Sequence, residues 1–237
     1  MRETEQRAVR PRSTALNVYE LLRSEIVLGV LKPLEPIREQ AIAERLAISR
    51  TPVREALLRL ADLGLVDIYP QSGTVVAPIR VAKVRAAQLI REAVEVEVAR
   101  RATRDASPDD IDALAAIVEE QAFAAGRQDT RRFYELDEVF HRRIFAAADC
   151  LAVADELEDV KVHLNRMRFV TVNWPNRPGT ILDQHGGIVA GMRARDDAAV
   201  AAVMTLHLRT ILDALAAIDG NAGEGRKEAV RAAMPAM

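Results

Sequence analysis

The spacing of apolar positions along the chain changes at about residue 80, and the first part contains short elements. Apolar residues there recur at helical spacing over brief stretches, and turns separate them. The predicted elements are a helix ending at Gly29, a turn in "LKPLEP", a helix over about 39–47, a helix that follows Ser49, and two β-branched runs around "PQSG". The two runs predict a hairpin in which Gly73 supplies the permissive backbone. The expected order is three helices and a two-stranded wing.

Beyond residue 80 the same periodicity extends over long stretches. The predicted helices are 80–104, 108–126, 130–148, 152–172, 179–194 and 197–218. Ser107 is expected to cap the second of them, with Pro108 at its first position. Helices with such short connections predict an antiparallel bundle. The fold is therefore expected to be mostly α, with domains at 1–78 and 79–220 and a flexible tail at 221–237.

The two short helices around Ser49 have the spacing of a helix-turn-helix motif, whose second helix presents its first residues to the DNA major groove. Hydroxyl and backbone N–H groups there can bind phosphate, and arginine can contact guanine through two hydrogen bonds. The residues expected at this leading end are Ser49, Arg50, Thr51 and Arg54. The residues expected to face the core are Val53, Leu57, Leu60 and Leu63.

Arginines on an exposed helix more often form a solvated surface than a DNA reader, so charge alone does not decide the matter. The preceding short helix, the capped turn and the glycine hairpin favour DNA binding. The whole chain gives no such sign, because 33 Lys and Arg against 35 Asp and Glu leave a net charge of −2. Any basic surface must therefore be local.

Composition also limits the compartment and the class of fold. Aromatic residues are only 4% of the chain, and alanine and leucine dominate its apolar set, which favours helices. The single cysteine, Cys150, excludes an intrachain disulfide and a cysteine zinc knuckle. The sequence shows no apolar run of about 18 residues and no signal-peptide core. We expect a soluble cytoplasmic protein that does not contact a membrane.

The four histidines all lie in the helical part, at 141, 163, 185 and 207. Asp137 and His141 are four residues apart and therefore project from one helix face. Antiparallel packing could bring His185 and His207 to the same interior. Three imidazoles and a carboxylate suit Zn²⁺ or another borderline divalent ion. The alternative is that these histidines are ordinary core or surface residues and that the Asp–His pair only stabilises its helix.

The stretch from "VYELLRSEIV" through "SRTPVREALLRL" to "SGTVVAP" resembles the winged helix-turn-helix domain of the GntR family of bacterial transcriptional regulators. The resemblance implies DNA contacts by Arg38, Gln40, Ser49, Arg50, Thr51, Arg54 and, at the wing tip, Gly73. One departure concerns the turn in "KPLEP", where Leu34 stands in place of the family's usual glycine.

Three later segments, "FYELDEVFHRRIF", "QHGGIVAGM" and "AVMTLHLRTI", are similar to the ligand-bearing segments of the FCD effector domain found in the FadR branch of this family. The resemblance implies a divalent ion, foremost Zn²⁺ but also Ni²⁺ or Mn²⁺, held by Asp137, His141, His185 and His207. It places the helix of His163 along the same cavity, which makes His163 a candidate for supporting the metal ligands or for contacting the effector. Arg91, in the family-like "REAVE", and Arg168 are further candidates for contact with an effector.

Together these features predict a transcriptional repressor whose operator affinity is controlled by a small organic acid bound at the metal site. A homodimer on a short palindromic operator is expected, because one short helix reads too few base pairs. Two rival hypotheses are a metal-dependent enzyme of the helical-bundle class and a sensor of the metal ion itself. The sequence lacks an HExxH helix, a nucleophile elbow and a phosphate-binding glycine loop, so an enzyme is not expected.

Overall fold

The computed structural model describes residues 13–218, which form two compact units. The first unit contains the described residues through Ile26 together with Val30–Ala77. The second contains Val27–Gly29 together with the described residues from Pro78 onward. The predicted tail at 221–237 lies outside the described residues. Helices dominate both units, which confirms the expected mostly α fold.

The first unit combines three helices with a small antiparallel sheet. The helices are α1 (Thr14–Val27), α2 (Glu39–Leu46) and α3 (Arg50–Asp62), and the strands are β1 (Pro36–Ile37), β2 (Val66–Tyr69) and β3 (Gly73–Val76). The strand order is β1-β3-β2, so the two-stranded wing predicted from the sequence is incomplete. Pro36 pairs with Val75 and Ile37 with Thr74, and a strand of two residues is too short for an alternating pattern to reveal.

The predicted apolar face of α3 faces the core. Val53, Leu57 and Leu60 are at most 1% exposed. Leu63 is half-buried, because α3 ends at Asp62 and Leu63 forms the C-cap. The face left to solvent carries the polar and basic residues of the helix.

Two tight turns in this unit use a left-handed backbone at residues other than glycine. Leu34 has φ 66° and donates its backbone N–H to the carbonyl oxygen of Val76. Leucine therefore adopts the conformation for which glycine is the ordinary choice. Ala47, with φ 53°, ends α2, and Ile48 donates its N–H to the carbonyl oxygen of Ala43. This capping closes the turn between α2 and α3 within three residues.

The second unit has eight helices among the described residues. They are α4 (Val81–Asp105), α5 (Pro108–Gly126), α6 (Thr130–Ala147), α7 (Leu151–Val160), α8 (Val162–Thr171), α9 (Arg177–Arg193), α10 (Asp197–Arg209) and α11 (Leu212–Ile218). The start of α5 is as predicted: the Ser107 hydroxyl accepts the Asp110 N–H, and the Asp110 carboxylate accepts the Ser107 N–H.

Two of the six predicted helices are each divided in the structure. The stretch 152–172 breaks at Lys161, whose ψ of 2° departs from helical geometry, and 197–218 breaks after α10. At the second break, Thr210 directs both its backbone N–H and its hydroxyl to the carbonyl oxygen of His207, so the backbone leaves the α-helical hydrogen-bond pattern there. The apolar spacing continues through both breaks, so periodicity alone predicts single helices.

The interior of this unit forms where α4, α5, α6, α9 and α10 meet. Its buried residues include Ala99, Leu114, Phe140, Ile188 and Met204. A Cβ on Gly191 would lie 2.6 Å from Cγ2 of Val200, so glycine permits the close approach of α9 to α10. The packing brings one face each of α6, α9 and α10 toward the same interior.

The stretch Asp197–Ala216 is long and apolar enough, by composition alone, to cross a membrane. This finding departs from the expectation that the sequence holds no such stretch. Val200, Met204 and Leu208 within it belong to the core of the second unit. A core helix of a soluble protein passes the same test, so the stretch is weak evidence for a membrane span.

Candidate metal centre and DNA-binding surface

The four predicted metal ligands lie together inside the second unit. α6 supplies Asp137 and His141, α9 supplies His185, and α10 supplies His207. One potential ligand atom from each residue lies within 4.8 Å of the others. All four residues are at most 5% exposed. Residues separated by up to 70 positions in sequence thus form one buried cluster, which we call the His₃Asp cluster.

Each histidine of the cluster has an oxygen atom beside its Nδ1. The Nδ1 of His141 lies 2.8 Å from a carboxylate oxygen of Glu95, and that of His185 lies 2.8 Å from Oε1 of Gln121. The Nδ1 of His207 lies 3.1 Å from Oε1 of Gln184. Because the amide oxygens of Gln121 and Gln184 can only accept, they suit a proton on Nδ1 of His185 and His207, which leaves the lone pair on Nε2. Nδ1 of His141 and the Glu95 oxygen are close but make no hydrogen bond with each other.

The Nε2 atoms of the three histidines lie close to one another and to a carboxylate. Nε2 of His141 lies 3.0 Å from Nε2 of His207, and Nε2 of His185 lies 3.4 Å from Oδ1 of Asp137. The last two atoms are buried and have no hydrogen-bond partner among the described residues. Buried acceptors that face each other without donors are costly unless a cation lies between them. The donor set and its orphaned atoms therefore fit a divalent metal ion.

Protonation favours the same conclusion. Burial lowers the pKa of His185 to about 3 and holds the pKa of His207 well below its ordinary value. Both imidazoles are therefore neutral at neutral pH, as metal ligation requires. Burial opposes ionisation of Asp137, but Arg168 together with the neighbouring His141 and His185 outweighs it and lowers the pKa of that carboxyl. The cluster therefore offers at least two neutral imidazoles, those of His185 and His207, and one carboxylate.

Two arginines predicted to contact an effector border the cluster. Arg91 donates from Nε to Glu95 at 2.8 Å, and its Nη2 lies 2.9 Å from Nε2 of His141. Arg168 donates to Asp137 and to Glu138. Burial alone would raise the pKa of Glu138, but Arg168 and the other nearby cations hold it well below its usual range. A narrow cavity beside the cluster is lined by both arginines together with Tyr134, Arg177 and Thr210. Cationic and hydroxyl groups thus converge next to the candidate metal ligands.

His163 lies apart from this group. It is buried in α8, and its Nδ1 accepts the backbone N–H of Arg80 at 3.4 Å. Its helix contributes Arg168 to the cavity, but His163 is not among the residues that line it. The structure therefore places His163 at the start of α4 and not beside the cluster.

Sequence reasoning missed the oxygen partners of the histidines. Gln121 lies in α5, and its own amide donates to the carbonyl oxygen of Phe133. Glu95 follows Arg91 by one helical turn, which is the only local signal of its role. Gln184 precedes His185 directly and points to His207 instead. Partners of this kind are set by tertiary packing, which no spacing rule reveals.

The residues expected to contact DNA lie on the exposed side of the first unit. Ser49 occupies the N-cap of α3 but makes no capping hydrogen bond with its side chain. Arg50, Thr51 and Arg54 are exposed on the first turns of that helix. Nη2 of Arg50 lies 3.0 Å from a carboxylate oxygen of Glu39, which links the starts of α3 and α2. Two hydroxyls and two guanidiniums therefore accompany the backbone N–H groups at the leading end of α3.

The remaining candidates surround this end. Arg38 is exposed at the N-cap of α2, and Gln40 donates to Glu44 at 2.9 Å. Gly73 is exposed at the tip of the wing with φ +103°, which only glycine adopts readily. Arg59 differs from the other arginines of α3, because its guanidinium lies 4.9 Å from the ring centre of Tyr19. Arg59 therefore packs against Tyr19 within the first unit and is not one of the candidate DNA contacts.

Comparison with known families agrees with this arrangement. Residues 14–76 match the family described as bacterial regulatory proteins, gntR family, and residues 88–210 match the FCD domain. The protein belongs to the GntR family. It is therefore a transcriptional regulator, and its helix-turn-helix domain implies DNA binding.

Named relatives cover most of its length. The HTH-type transcriptional repressor RspR of Escherichia coli K12 is 35% identical over 198 residues, which are 84% of this chain and 87% of RspR. A probable D-xylose utilization operon transcriptional repressor of Paenarthrobacter nicotinovorans is 28% identical over 88% of this chain and 91% of its own. Both are named as repressors.

Solved structures share the fold. E. coli McbR/YncC superposes with a TM-score of 0.74 at 20% identity, over 85% of this GntR regulator and 96% of McbR. A putative GntR regulator from Rhodococcus sp. RHA1 superposes with a TM-score of 0.71 at 22% identity, over 90% of this chain and 100% of the Rhodococcus chain. At this level of identity the likeness establishes the architecture.

Proposed function

We propose that the protein is a repressor whose operator affinity is controlled by a small carboxylate bound at a metal ion in the second unit. In this proposal residues 1–78 form the DNA-binding domain and 79–220 the effector domain, as in the FadR branch of the family. The His₃Asp cluster is the observation that carries the proposal. A regulator that reads DNA but senses nothing has no use for three buried, preoriented imidazoles.

Operator recognition is assigned to the leading end of α3. Arg50 and Arg54 are placed to reach guanine edges, and Ser49 and Thr51 to bind phosphate oxygens beside the helix N-terminus. Arg38 and Gln40 are assigned contacts at the start of α2, and Gly73 lets the wing tip approach the DNA backbone closely. Because each copy reads only a few base pairs, we assign a homodimer and a short palindrome. Such a protein acts where the chromosome lies, in the bacterial cytoplasm.

The ion would be held by Asp137, His141, His185 and His207. Zn²⁺ suits nitrogen and carboxylate ligands best, and Ni²⁺ or Mn²⁺ would accept the same donors. When bound, the ion supplies a Lewis-acidic position that a carboxylate oxygen can occupy. Glu95, Gln121 and Gln184 orient the imidazoles, and such outer partners commonly affect metal affinity by about 10- to 100-fold.

The charges around the cavity support an anionic effector. Arg91 and Arg168 are paired with Glu95, Asp137 and Glu138, so these five groups, of which Glu138 is half-buried, carry three negative charges against two positive ones. Lys161 lies 3.2 Å from Glu138 and 3.0 Å from Glu158, so it is shared between two carboxylates. A divalent ion would leave a buried excess of positive charge, which a bound carboxylate would reduce. Arg91 and Arg168 are the assigned cationic contacts, with His163 kept as an outer candidate.

Metal analysis with operator binding tests the proposal. Wild type, the double variant His185→Ala/His207→Ala and the control Asp183→Ala, an exposed position of α9, would be compared by bound metal per chain and by fluorescence anisotropy on operator DNA. We expect near-stoichiometric metal in wild type and control, and loss of metal and of the response to organic acids in the double variant. A double variant that keeps its metal and responds to the same acid with unchanged affinity would refute the assignment.

The metal-sensor hypothesis predicts a different outcome of the same experiment. If chelation alone changes operator affinity of the wild type with no organic acid present, the ion is the signal. The deep burial of the four ligands is the feature that favours this second candidate. A thermal-shift screen of the metal-loaded protein against organic acids separates the two, because a true effector raises the melting temperature.

A further inference from the structure

The chain enters the second unit through a small apolar cluster. β3 ends at Val76, and the second unit resumes at Pro78. Ile79 and Val84 follow and are at most 6% exposed. They pack against buried residues of α4, of α8 and of the stretch that leads into α11, which are Ala87, Leu164, Met167, Ile211, Ala214 and Leu215. We call these eight residues the linker cluster.

Two hydrogen bonds hold the same segment in place. The backbone N–H of Arg80 donates to Nδ1 of His163 at 3.4 Å, and the N–H of Val84 donates to the carbonyl oxygen of Arg80 at 3.1 Å. His163 is 1% exposed and lies on α8 directly before Leu164 of the linker cluster. Residues 78–84 therefore follow a movement of α8, because separation would leave a buried ring nitrogen without its donor.

The linker cluster begins where the cavity beside the His₃Asp cluster ends. Ile211 belongs to both, since it lines the cavity and packs within the linker cluster. Its neighbour Thr210 also lines the cavity, and its N–H and hydroxyl lie 3.2 and 2.8 Å from the carbonyl oxygen of His207. The hydrogen-bonded break between α10 and α11 thus joins a candidate metal ligand to the linker cluster.

α8 makes a second connection between the two clusters. Arg168 donates to the carboxylate of Asp137, and the preceding residue, Met167, is a member of the linker cluster that is 2% exposed. α8 packs against α4, whose first turn contains Val84. The two connections start from different candidate ligands, Asp137 and His207, and they end at the same segment of the chain.

We infer that the linker cluster transmits the occupancy of the His₃Asp cluster to residues 78–84, with the break at Thr210 as the hinge. The inference rests on the proposed function and names the route of its regulation. Occupancy fixes the imidazole of His207 and thereby the carbonyl oxygen to which Thr210 is bonded. A close-packed interior has few voids to absorb a displacement, so Ile211 and α11 pass it on to Val84. The segment that responds is the one covalently joined to the first unit.

Hydrogen exchange measured by mass spectrometry tests this route, with the metal alone as the probe. The full-length protein is compared with Zn²⁺ bound and with a chelator present. An occupied cluster makes local opening of the segments packed on it rarer, so the amides of 78–84 and 211–215 should exchange at least about fivefold more slowly with Zn²⁺. One Zn²⁺ ion per chain without a change in 78–84 overturns the inference and leaves the proposed metal site intact. A chain that binds no Zn²⁺ overturns both.

Two valines of α4 supply a matched pair of variants. Val84 lies in the linker cluster, whereas Val98 is buried in the interior formed with α5, α6, α9 and α10. Val84→Ala should keep the slower exchange at 211–215 but largely lose it at 78–84, and Val98→Ala should keep both. Full slowing at 78–84 in Val84→Ala shows that the linker cluster does not transmit, and an equal loss in Val98→Ala assigns the effect to general stability. Either result overturns the inference, and the wild-type comparison decides it if Val84→Ala does not fold.

Discussion

At the scale of single residues, the arginines of α3 fall into candidate DNA contacts and a packing residue. Arg50 and Arg54 are exposed there, whereas Arg59 lies over the ring of Tyr19. Replacing Arg50 or Arg54 with alanine removes one base contact and should weaken operator binding by about 1–3 kcal/mol. The buried residues of α3 stay in place, and the exposed Arg50–Glu39 pair contributes little to stability. Fluorescence anisotropy on operator DNA measures the loss.

Arg59→Ala is the matched control on the same helix, because it removes an equal charge without touching the leading end. It should leave operator affinity within about twofold of wild type at fixed salt. If all three variants lose affinity equally, net charge and not base recognition explains the effect. If Arg50→Ala and Arg54→Ala both bind like wild type, α3 is not the recognition helix.

The buried histidines give a second prediction, for stability against pH. The pKa of His185 is lowered by burial from 6.5 to about 3, so between these values the unfolded chain binds a proton that the folded chain refuses. The free energy of unfolding should therefore fall as pH decreases from about 6.5 toward 3 and stay level above 7. His207 adds to the fall in the same direction.

Melting temperatures measured from about pH 7.5 to pH 5 in the presence of a chelator, which excludes metal release as the cause, check this slope. His185→Gln removes one of the groups and should show a shallower decrease over the same range. A melting temperature that is flat in the wild type, or equally steep in the variant, would contradict the expected burial of a neutral imidazole.

At the scale of elements, the contact between α9 and α10 depends on one glycine. A methyl group on Gly191 would meet Cγ2 of Val200 at 2.6 Å, and Val200 is fully buried with a short side chain that cannot move aside. Gly191→Ala should destabilise the protein by about 1–3 kcal/mol. Gly187→Ala is the control, because its Cβ would make an ordinary 3.4 Å contact with Val203. Denaturant unfolding of both variants measures the difference.

The bounds of a helix were predicted correctly where residues at its ends carry a capping signal. α5 was predicted at its observed bounds because Ser107 and Pro108 mark its start in the sequence. The breaks at Lys161 and Thr210 were missed because apolar spacing continues through them. β1 was missed because two residues carry no alternation. Local capping signals can be read from the sequence, whereas these two breaks leave no mark in the apolar spacing.

The metal candidates show the same division. Asp137 and His141 were predicted as a pair because a four-residue spacing fixes their relation on one helix. Whether His185 and His207 lie beside that pair depends on helix packing, which their spacing does not determine. The family resemblance supplied the expectation that all four residues lie together. Glu95, Gln121 and Gln184 came from three different helices, and no sequence rule joins them to their histidines. The gathering of these four side chains was thus predictable, but the groups that contact them were not.

At the scale of the whole molecule, a regulator must couple a site in one unit to DNA binding by the other. A ligand changes DNA affinity only if it binds the DNA-competent and DNA-incompetent states with different affinity. The coupling is then reciprocal, since both effects measure one free energy. An acid that weakens operator binding by a given factor must itself bind the operator complex more weakly by the same factor.

Two titrations check this equality for the protein. Anisotropy gives the operator dissociation constant with and without saturating acid, and calorimetry gives the acid dissociation constant with and without saturating operator, at one salt concentration. We expect equal factors in the wild type and factors near one in His185→Ala/His207→Ala, which has lost the ligands that hold the effector. Unequal factors in the wild type would show that another step, such as dissociation of the dimer or loss of the ion, accompanies binding. Equal factors that persist unchanged in the double variant would place the effector outside the His₃Asp cluster.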